Sequence, residues 1–335
     1  MNSITLLQEE TFSQQMDDIV VPFLEKHKTA RYVASCKGGE LSCQTFVPDG
    51  EFHSVMVIFY GFCEFSEKYD EFTYLALQQG FSVCRFDHRG HGFSPRNDII
   101  KENYSVVDID SYDTYVTDAK TVVEEIAKPL AGKKPLFLFS HSMGGAIATL
   151  YVSKFTDDFT SVILDSPMLQ ISITKKPFWI VKPFVFFIQF IFGKGNLIPS
   201  HKEFPFDHEF DEKTAFTTSS ERYMYYYNKR KTDKYWHNWG ASTRWCYATL
   251  KALQQCNKKS VLEKITVPVL LFQAENDTVV CPGGQDNFVK HVKNAQKSVV
   301  KNADHELFVG KTIYAHAWYE KVYSFYEKYV SKGQE

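Results

Sequence analysis

The sequence has no run of about twenty predominantly apolar residues, which excludes a membrane-spanning helix. Its most apolar stretch, residues 177–192, is short and is interrupted by Lys182, Pro183 and Gln189. Basic charge is not in excess: 38 Lys and Arg against 40 Asp and Glu leave a formal net charge of -2. No basic excess exists to neutralise a phosphate backbone, so no nucleic acid is expected as a partner. Cysteine is scarce: the seven, at 36, 43, 63, 84, 246, 256 and 281, form an odd set without a Cys-x-x-Cys pair. That pattern fits reduced thiols in a cytosolic protein rather than a disulfide framework. Met1 to Lys26 lacks a basic region leading into an apolar core, so no signal peptide is expected and the cytoplasm is the expected location. Repeats and low-complexity linkers are absent. Aromatics, by contrast, are plentiful, with 29 Phe and 19 Tyr, and 335 residues at 44% hydrophobic content give ample material for a core.

The chain is organised around Leu136-Phe-Leu-Phe-Ser140-His141-Ser142-Met143-Gly144-Gly145 and the apolar segment Ala146 to Tyr151. A short continuous apolar run of this kind marks a strand buried on both faces. A sharp turn and a helix-compatible segment follow, with a serine at the turn. Strand, serine and helix in that order describe a nucleophile elbow, whose strained turn demands small residues two before and two after the serine. Ser140 and Gly144 meet the demand, although Ser140 stands where glycine is usual. The amide of Met143 then faces a developing oxyanion at the helix N-terminus.

Strands and helices alternate on either side. Arg31 to Pro48 reads as a hairpin, Ser54 to Tyr60 and Phe81 to Phe86 as buried strands, and Ser66 as the cap of the helix between them. An amphipathic helix carrying Ile109, Tyr112, Val116, Ala119, Val123 and Ile126 is expected to stop at Pro129. Ser161 to Asp165 is another strand. The alternation predicts a mostly parallel, doubly wound α/β sheet. It lapses from Met168 to about Trp245, then resumes at Val267. The expected division is an N-terminal extension (1–30), a first core segment (31–168), a cap inserted over the sheet's carboxyl edge (169–245) and a second core segment (246–335).

A serine hydroxyl needs a base within hydrogen-bond reach and a carboxylate to orient that base. Chain order in such folds is serine, acid, histidine, each on a loop after a strand. Ser142, Asp277 and His305 satisfy both conditions. Asp165, at the end of the strand after the elbow helix, is a rival acid. Asp277 is favoured because its loop leads directly into the helix before His305. A second oxyanion donor is expected after the first buried strand, where Gly61 permits close approach and the Phe62 amide donates.

The motifs Gly61-x-x-Glu64, Asp87-His88-Arg89-Gly90-His91-Gly92, His141-Ser142-Met143-Gly144-Gly145, Gln273-Ala-Glu-Asn-Asp277 and Ala303-Asp304-His305-Glu306-Leu307 resemble the α/β-hydrolases of the monoacylglycerol lipase and lysophospholipase group. Bacterial lysophospholipases carry a similar Asp-His-Arg-Gly loop and a basic, tyrosine-rich cap segment like residues 220–230. Tyr60 departs from the group, which often has His before the oxyanion glycine. The resemblance implies a serine hydrolase of single-chain lipid esters, working without metal or organic cofactor, attached to the inner face of the membrane.

Two cap segments fit a lipid-like substrate. Residues 177–192 read either as a buried cap helix or as a lid face touching a membrane surface. Arg222, Lys229 and Arg230, among tyrosines, read either as a phosphate-binding cluster or as a solvated basic face. Two further readings use the same chain: a prolyl-iminopeptidase-like aminopeptidase, which would need acidic cap residues for a free amine, and a ligand-binding homologue without turnover.

Overall fold

The computed structural model describes residues 3–330 apart from Lys101 and Pro177. Pro177, the first residue of the apolar cap run, and the outermost residues at either end of the expected division lie outside the described residues. Among the described residues the central sheet has eight strands: β1 (Lys28–Ala34), β2 (Glu40–Phe46), β3 (Ser54–Phe59), β4 (Phe81–Phe86), β5 (Leu136–His141), β6 (Ser161–Asp165), β7 (Val269–Ala274) and β8 (Ala295–Val300). Their order across the sheet is β1-β2-β4-β3-β5-β6-β7-β8. The β1–β2 hairpin is antiparallel and β2 meets β4 antiparallel, while every pairing from β4 to β8 is parallel.

Because side chains alternate across a strand, each central strand feeds two cores. Val55, Val57 and Phe59 enter one core, with Leu138, Val162, Leu164 and Leu271. Met56, Ile58 and Tyr60 enter the other, with Phe137, Phe139, Ile163 and Phe272. The first core is covered by helices α2 (Tyr112–Val122), α3 (Met143–Val152), α6 (Thr243–Cys256) and α7 (Pro282–His291). The second is covered by α1 (Asp70–Gln78), α8 (Thr312–Val330) and the N-terminal turns, which contribute Phe12, Met16, Val20 and Leu24. Trp318, Tyr319, Tyr323 and Tyr326 of α8 and Phe72 of α1 gather there as an aromatic cluster.

Two local expectations fail. Pro129 does not stop the α2 helix: a π turn at Val123–Ala127 follows α2 and the helix runs on through Ala131. A widened turn tolerates a residue without an N–H, and the stop comes at Gly132, whose φ of 60° is left-handed. Ser66 does not cap α1. Its hydroxyl donates to Asp87 at 2.7 Å, because the Asp87 carboxylate is buried and gathers donors.

After β6 the chain leaves the sheet, forms α4 (Phe178–Phe192) and α5 (Ser220–Lys231), and returns through Gly240–Ala241 into α6. Gly240–Ala241 pairs in parallel with Val106–Val107. Helix α6 packs against both α4 and α3, so it joins the inserted segment to the body.

Candidate active site

Ser142 lies between β5 and α3 with φ 48° and ψ -115°, a left-handed conformation costly for a residue with a Cβ. The surroundings hold it there. Its amide donates to Asp165 O at 3.1 Å, and its carbonyl accepts from Met168 at 2.8 Å and Gly145 at 2.9 Å. A Cβ at Gly144 would stand 2.0 Å from Phe59 O, which explains why glycine is needed there. Ser140 is tolerated in place of the usual glycine because its hydroxyl donates to Ile163 O on β6 at 3.1 Å.

His305 Nε2 is 2.8 Å from Ser142 Oγ, and His305 Nδ1 is 2.7 Å from Asp277 Oδ2. With its Nδ1 proton toward Asp277, the ring leaves Nε2 to accept from the serine. The other Asp277 oxygen accepts the amides of Val279 and Val280, both at 2.9 Å. Burial works against the Asp277 charge, but the bond and charge of His305 and those two amides outweigh it, holding the carboxyl below its ordinary range. Asp165 is placed differently. Its Oδ1 accepts from Trp318 Nε1 at 3.0 Å, and burial pushes its carboxyl up to about 7. The bond to His305 belongs to Asp277 alone.

The loop after β3 is held amide by amide. Gly61 N donates to Glu64 Oε2 at 2.5 Å, and Cys63 N donates to His91 Nε2 at 3.3 Å. Between them, the Phe62 amide has no hydrogen-bond partner among the described residues, and neither does that of Met143 at the start of α3. Tyr60 uses its hydroxyl to donate to Asp87 at 3.0 Å, tying the end of β3 to the Asp-His-Arg-Gly loop. His88 and His91 stay neutral, because burial lowers both, His88 to about 3.

Sequence reasoning gave no role to a buried ionic bridge beneath this loop. Lys68 donates to Glu64 at 2.8 Å and to Glu306 at 2.6 Å. His141 puts Nδ1 3.4 Å from Glu64 and Nε2 3.3 Å from the His305 carbonyl, so its ring is turned away from the Ser142 hydroxyl. Burial opposes charge at Glu64, yet Lys68 and His141 hold it well below the ordinary carboxyl range. The bridge therefore links the loop after β3 to the backbone of His305. The four-residue spacing of Glu64 and Lys68 was the available signal.

The relay opens into a cavity of about 420 Å³, lined by Phe62, Phe65, Met168 and Val309 and, from the segment between β6 and α6, by Tyr223, Tyr227, Arg230 and Trp239. Of the three basic residues expected there, only Arg230 lines it. Arg222, 1% exposed, is a correction: it donates to both oxygens of Glu71, at 2.7 and 2.8 Å, and to Glu9 at 2.7 Å. Lys229 likewise donates to Asp70 at 2.7 Å. A buried cation must be matched by carboxylates, and α1 and the N-terminal turns supply them. Among the described residues no cluster of His, Cys, Asp and Glu could hold a metal ion.

Residues 50–311 match the family described as Serine aminopeptidase, S33. The chain belongs to this family. Its fold is the α/β-hydrolase fold of that family's superfamily. The chain is 27% identical to a probable lysophospholipase L2 of Haemophilus influenzae, over 91% of this chain and 94% of that one. It is 26% identical to lysophospholipase L2 of Escherichia coli K12, over 77% and 75%. A soluble variant of monoglyceride lipase from Saccharomyces cerevisiae, solved with a substrate analogue, shares the fold at TM-score 0.67 and 18% identity, covering 91% of this chain and 96% of that one.

Proposed function

We propose that this S33-family member is a serine hydrolase of carboxylic esters of single-acyl-chain lipids, lysophospholipid or monoacylglycerol, acting through an acyl-enzyme. Ser142 attacks the ester carbonyl while His305 takes its proton, and Asp277 orients the ring and stabilises the imidazolium. The amides of Phe62 and Met143 receive the developing oxyanion. His305 then protonates the leaving alcohol, and water reverses the sequence to free the fatty acid. No cofactor is needed in any step.

The observation that carries this reading is the Ser142–His305–Asp277 relay opening into a cavity walled by Phe62, Phe65, Met168 and Val309. The names of the curated relatives agree with it. An aminopeptidase would need unpaired carboxylates for the substrate amine. Glu64 and Glu306, which line the cavity, are both paired with Lys68, and the cap contributes a cation.

The same reading extends to the outer surface of the cap. Helix α4 exposes Trp179, Phe184, Phe186, Phe187, Phe190 and Ile191. From Ser166 to Lys202 the chain has five lysines and no acid. An apolar, aromatic face rimmed by lysines suits peripheral contact with an anionic lipid surface, which would deliver a lipid substrate to the cavity.

Labelling with a fluorophosphonate, together with a hydrolysis screen on lysophospholipids, monoacylglycerols and aminoacyl amides, tests the proposal. Labelling at Ser142 and turnover of the lipid esters are expected; turnover of the amides alone would reject it. Asp277→Asn should lower kcat about 10⁴-fold, and a greater loss from Asp165→Asn would reverse the choice of acid.

A further inference from the structure

Four arginines are buried: Arg85, Arg89, Arg222 and Arg230. Three of them have a carboxylate at hand: Asp70 at 2.7 Å from Arg85, Asp118 at 3.6 Å from Arg89, and Glu71 with Glu9 at Arg222. Arg230 has none among the described residues. Its guanidinium donates to the carbonyls of Cys63 and Asn238 and lies against the rings of Phe65 and Trp239, 5.2 and 5.6 Å from their centres. It also lines the cavity that holds Ser142 and His305. The nearby carboxylates, Glu64 and Glu306, are bound by Lys68. A buried charge without a counterion is costly, and two carbonyl bonds leave further N–H donors on the fork.

We infer that Arg230 is the head-group subsite of this cavity and that it takes the phosphodiester of a lysophospholipid. The inference rests on the ester-hydrolase reading and narrows it, because monoacylglycerol has no anion to offer. A guanidinium fork matches two phosphate oxygens side by side. The position also fits. Arg230 touches the carbonyl of Cys63, the residue after Phe62, so an anion held there sits beside the proposed oxyanion donor. In a lysophospholipid only the glycerol separates the ester from the phosphate. Tyr223 and Tyr227 stand on the same wall, but their hydroxyls are engaged by His208 and by the Pro205 carbonyl, so the guanidinium carries the recognition of the anion. The basic segment therefore contributes one cation to the site, and Arg222 and Lys229 serve to hold the helix that carries it.

The test separates binding from turnover. Ser142→Ala protein is titrated calorimetrically with a short-chain ether-linked lysophospholipid and with the corresponding neutral 1-O-alkylglycerol. The phosphodiester ligand should bind about ten- to a hundredfold more tightly, the usual worth of charge-assisted bonds. Adding Arg230→Gln should abolish that preference, and Arg230→Lys should retain part of it. Thermal unfolding of each variant identifies any loss that comes from misfolding, and the charge-retaining lysine form then decides the matter. A preference that survives Arg230→Gln, no preference at all, or an equal loss for both ligands would overturn the inference, the last by reducing Arg230 to a latch between α5 and the loop. Inorganic phosphate should compete weakly; competition as strong as the lipid's would assign the site to free phosphate and overturn it too. Binding needs no turnover. If the Arg230-dependent preference stands while intact protein cleaves neither ester, the hydrolase reading fails and the subsite remains; if esters are cleaved without it, the reverse holds.

Discussion

The two long helices of the inserted segment reverse what their compositions suggest. Helix α4 is almost wholly apolar, yet it buries only Val181, Val185 and Gln189, spaced four apart along one stripe against α6. Trp179 is 77% and Phe190 82% exposed. Helix α5 carries Arg222, Lys229, Arg230 and Lys231, yet Arg222, Tyr226, Tyr227 and Arg230 are buried. Burial follows the partners a side chain can find rather than its polarity alone. Glu71, Glu9 and Asp70 await the cations of α5, whereas α6 is wide enough to cover one stripe of α4. The uncovered remainder is an apolar surface of the kind that marks an interaction site.

If α5 serves the chemistry and α4 the surface, the two should come apart by mutation. The largest effect is expected from Ser142→Ala, which should cut hydrolysis by about 10⁶-fold and leave vesicle co-sedimentation unchanged. Joint loss of both would join what the two helices separate. Next is Arg222→Ala, which strands the buried Glu71 and should cost about 3–5 kcal/mol in denaturant unfolding. A cost below about 1 kcal/mol would show that α5 is not anchored through this ion pair.

A third experiment turns to α4. Phe187→Ser with Phe190→Ser should shift stability by less than about 0.5 kcal/mol, as for other exposed positions. The same change should weaken sedimentation with anionic vesicles by roughly tenfold or more, the worth of two aromatic side chains leaving an apolar phase. Added salt should weaken binding of the unaltered protein as it screens the lysines. Unchanged sedimentation, or a monomer–dimer shift in its place, would assign the face to a second copy of the chain. The smallest effect is expected from Lys229→Ala. Asp70 keeps Arg85 at 2.7 Å, so losing the partly exposed lysine should cost on the order of 1 kcal/mol or less. A larger cost would make Lys229 as structural as Arg222.

Much of the fold was legible because its rules are local. Apolar runs such as Leu136 to Phe139 announce strands buried on both faces, and the small residues around Ser142 announce the elbow. The order of Ser142, Asp277 and His305 followed from the alternation of strands and helices, without any distance. Pro129 misled because a π turn before it loosened the helix, a feature with no period of its own. Ser66 misled because its acceptor, Asp87, lies 21 residues further along.

By itself, then, the sequence determined the alternating sheet, the serine turn and the order of the three relay residues, since each depends on spacing within a segment or on succession along the chain. Only the tertiary structure decided which acid meets His305, which of Arg222, Lys229 and Arg230 faces the cavity, and which face of α4 stays uncovered. Each of these depends on partners far apart in sequence: Asp277 with His305, Glu71 with Arg222, Leu250 with Val181. A cation or an apolar side chain carries no mark of its partner, and folding alone brings the two within bonding distance.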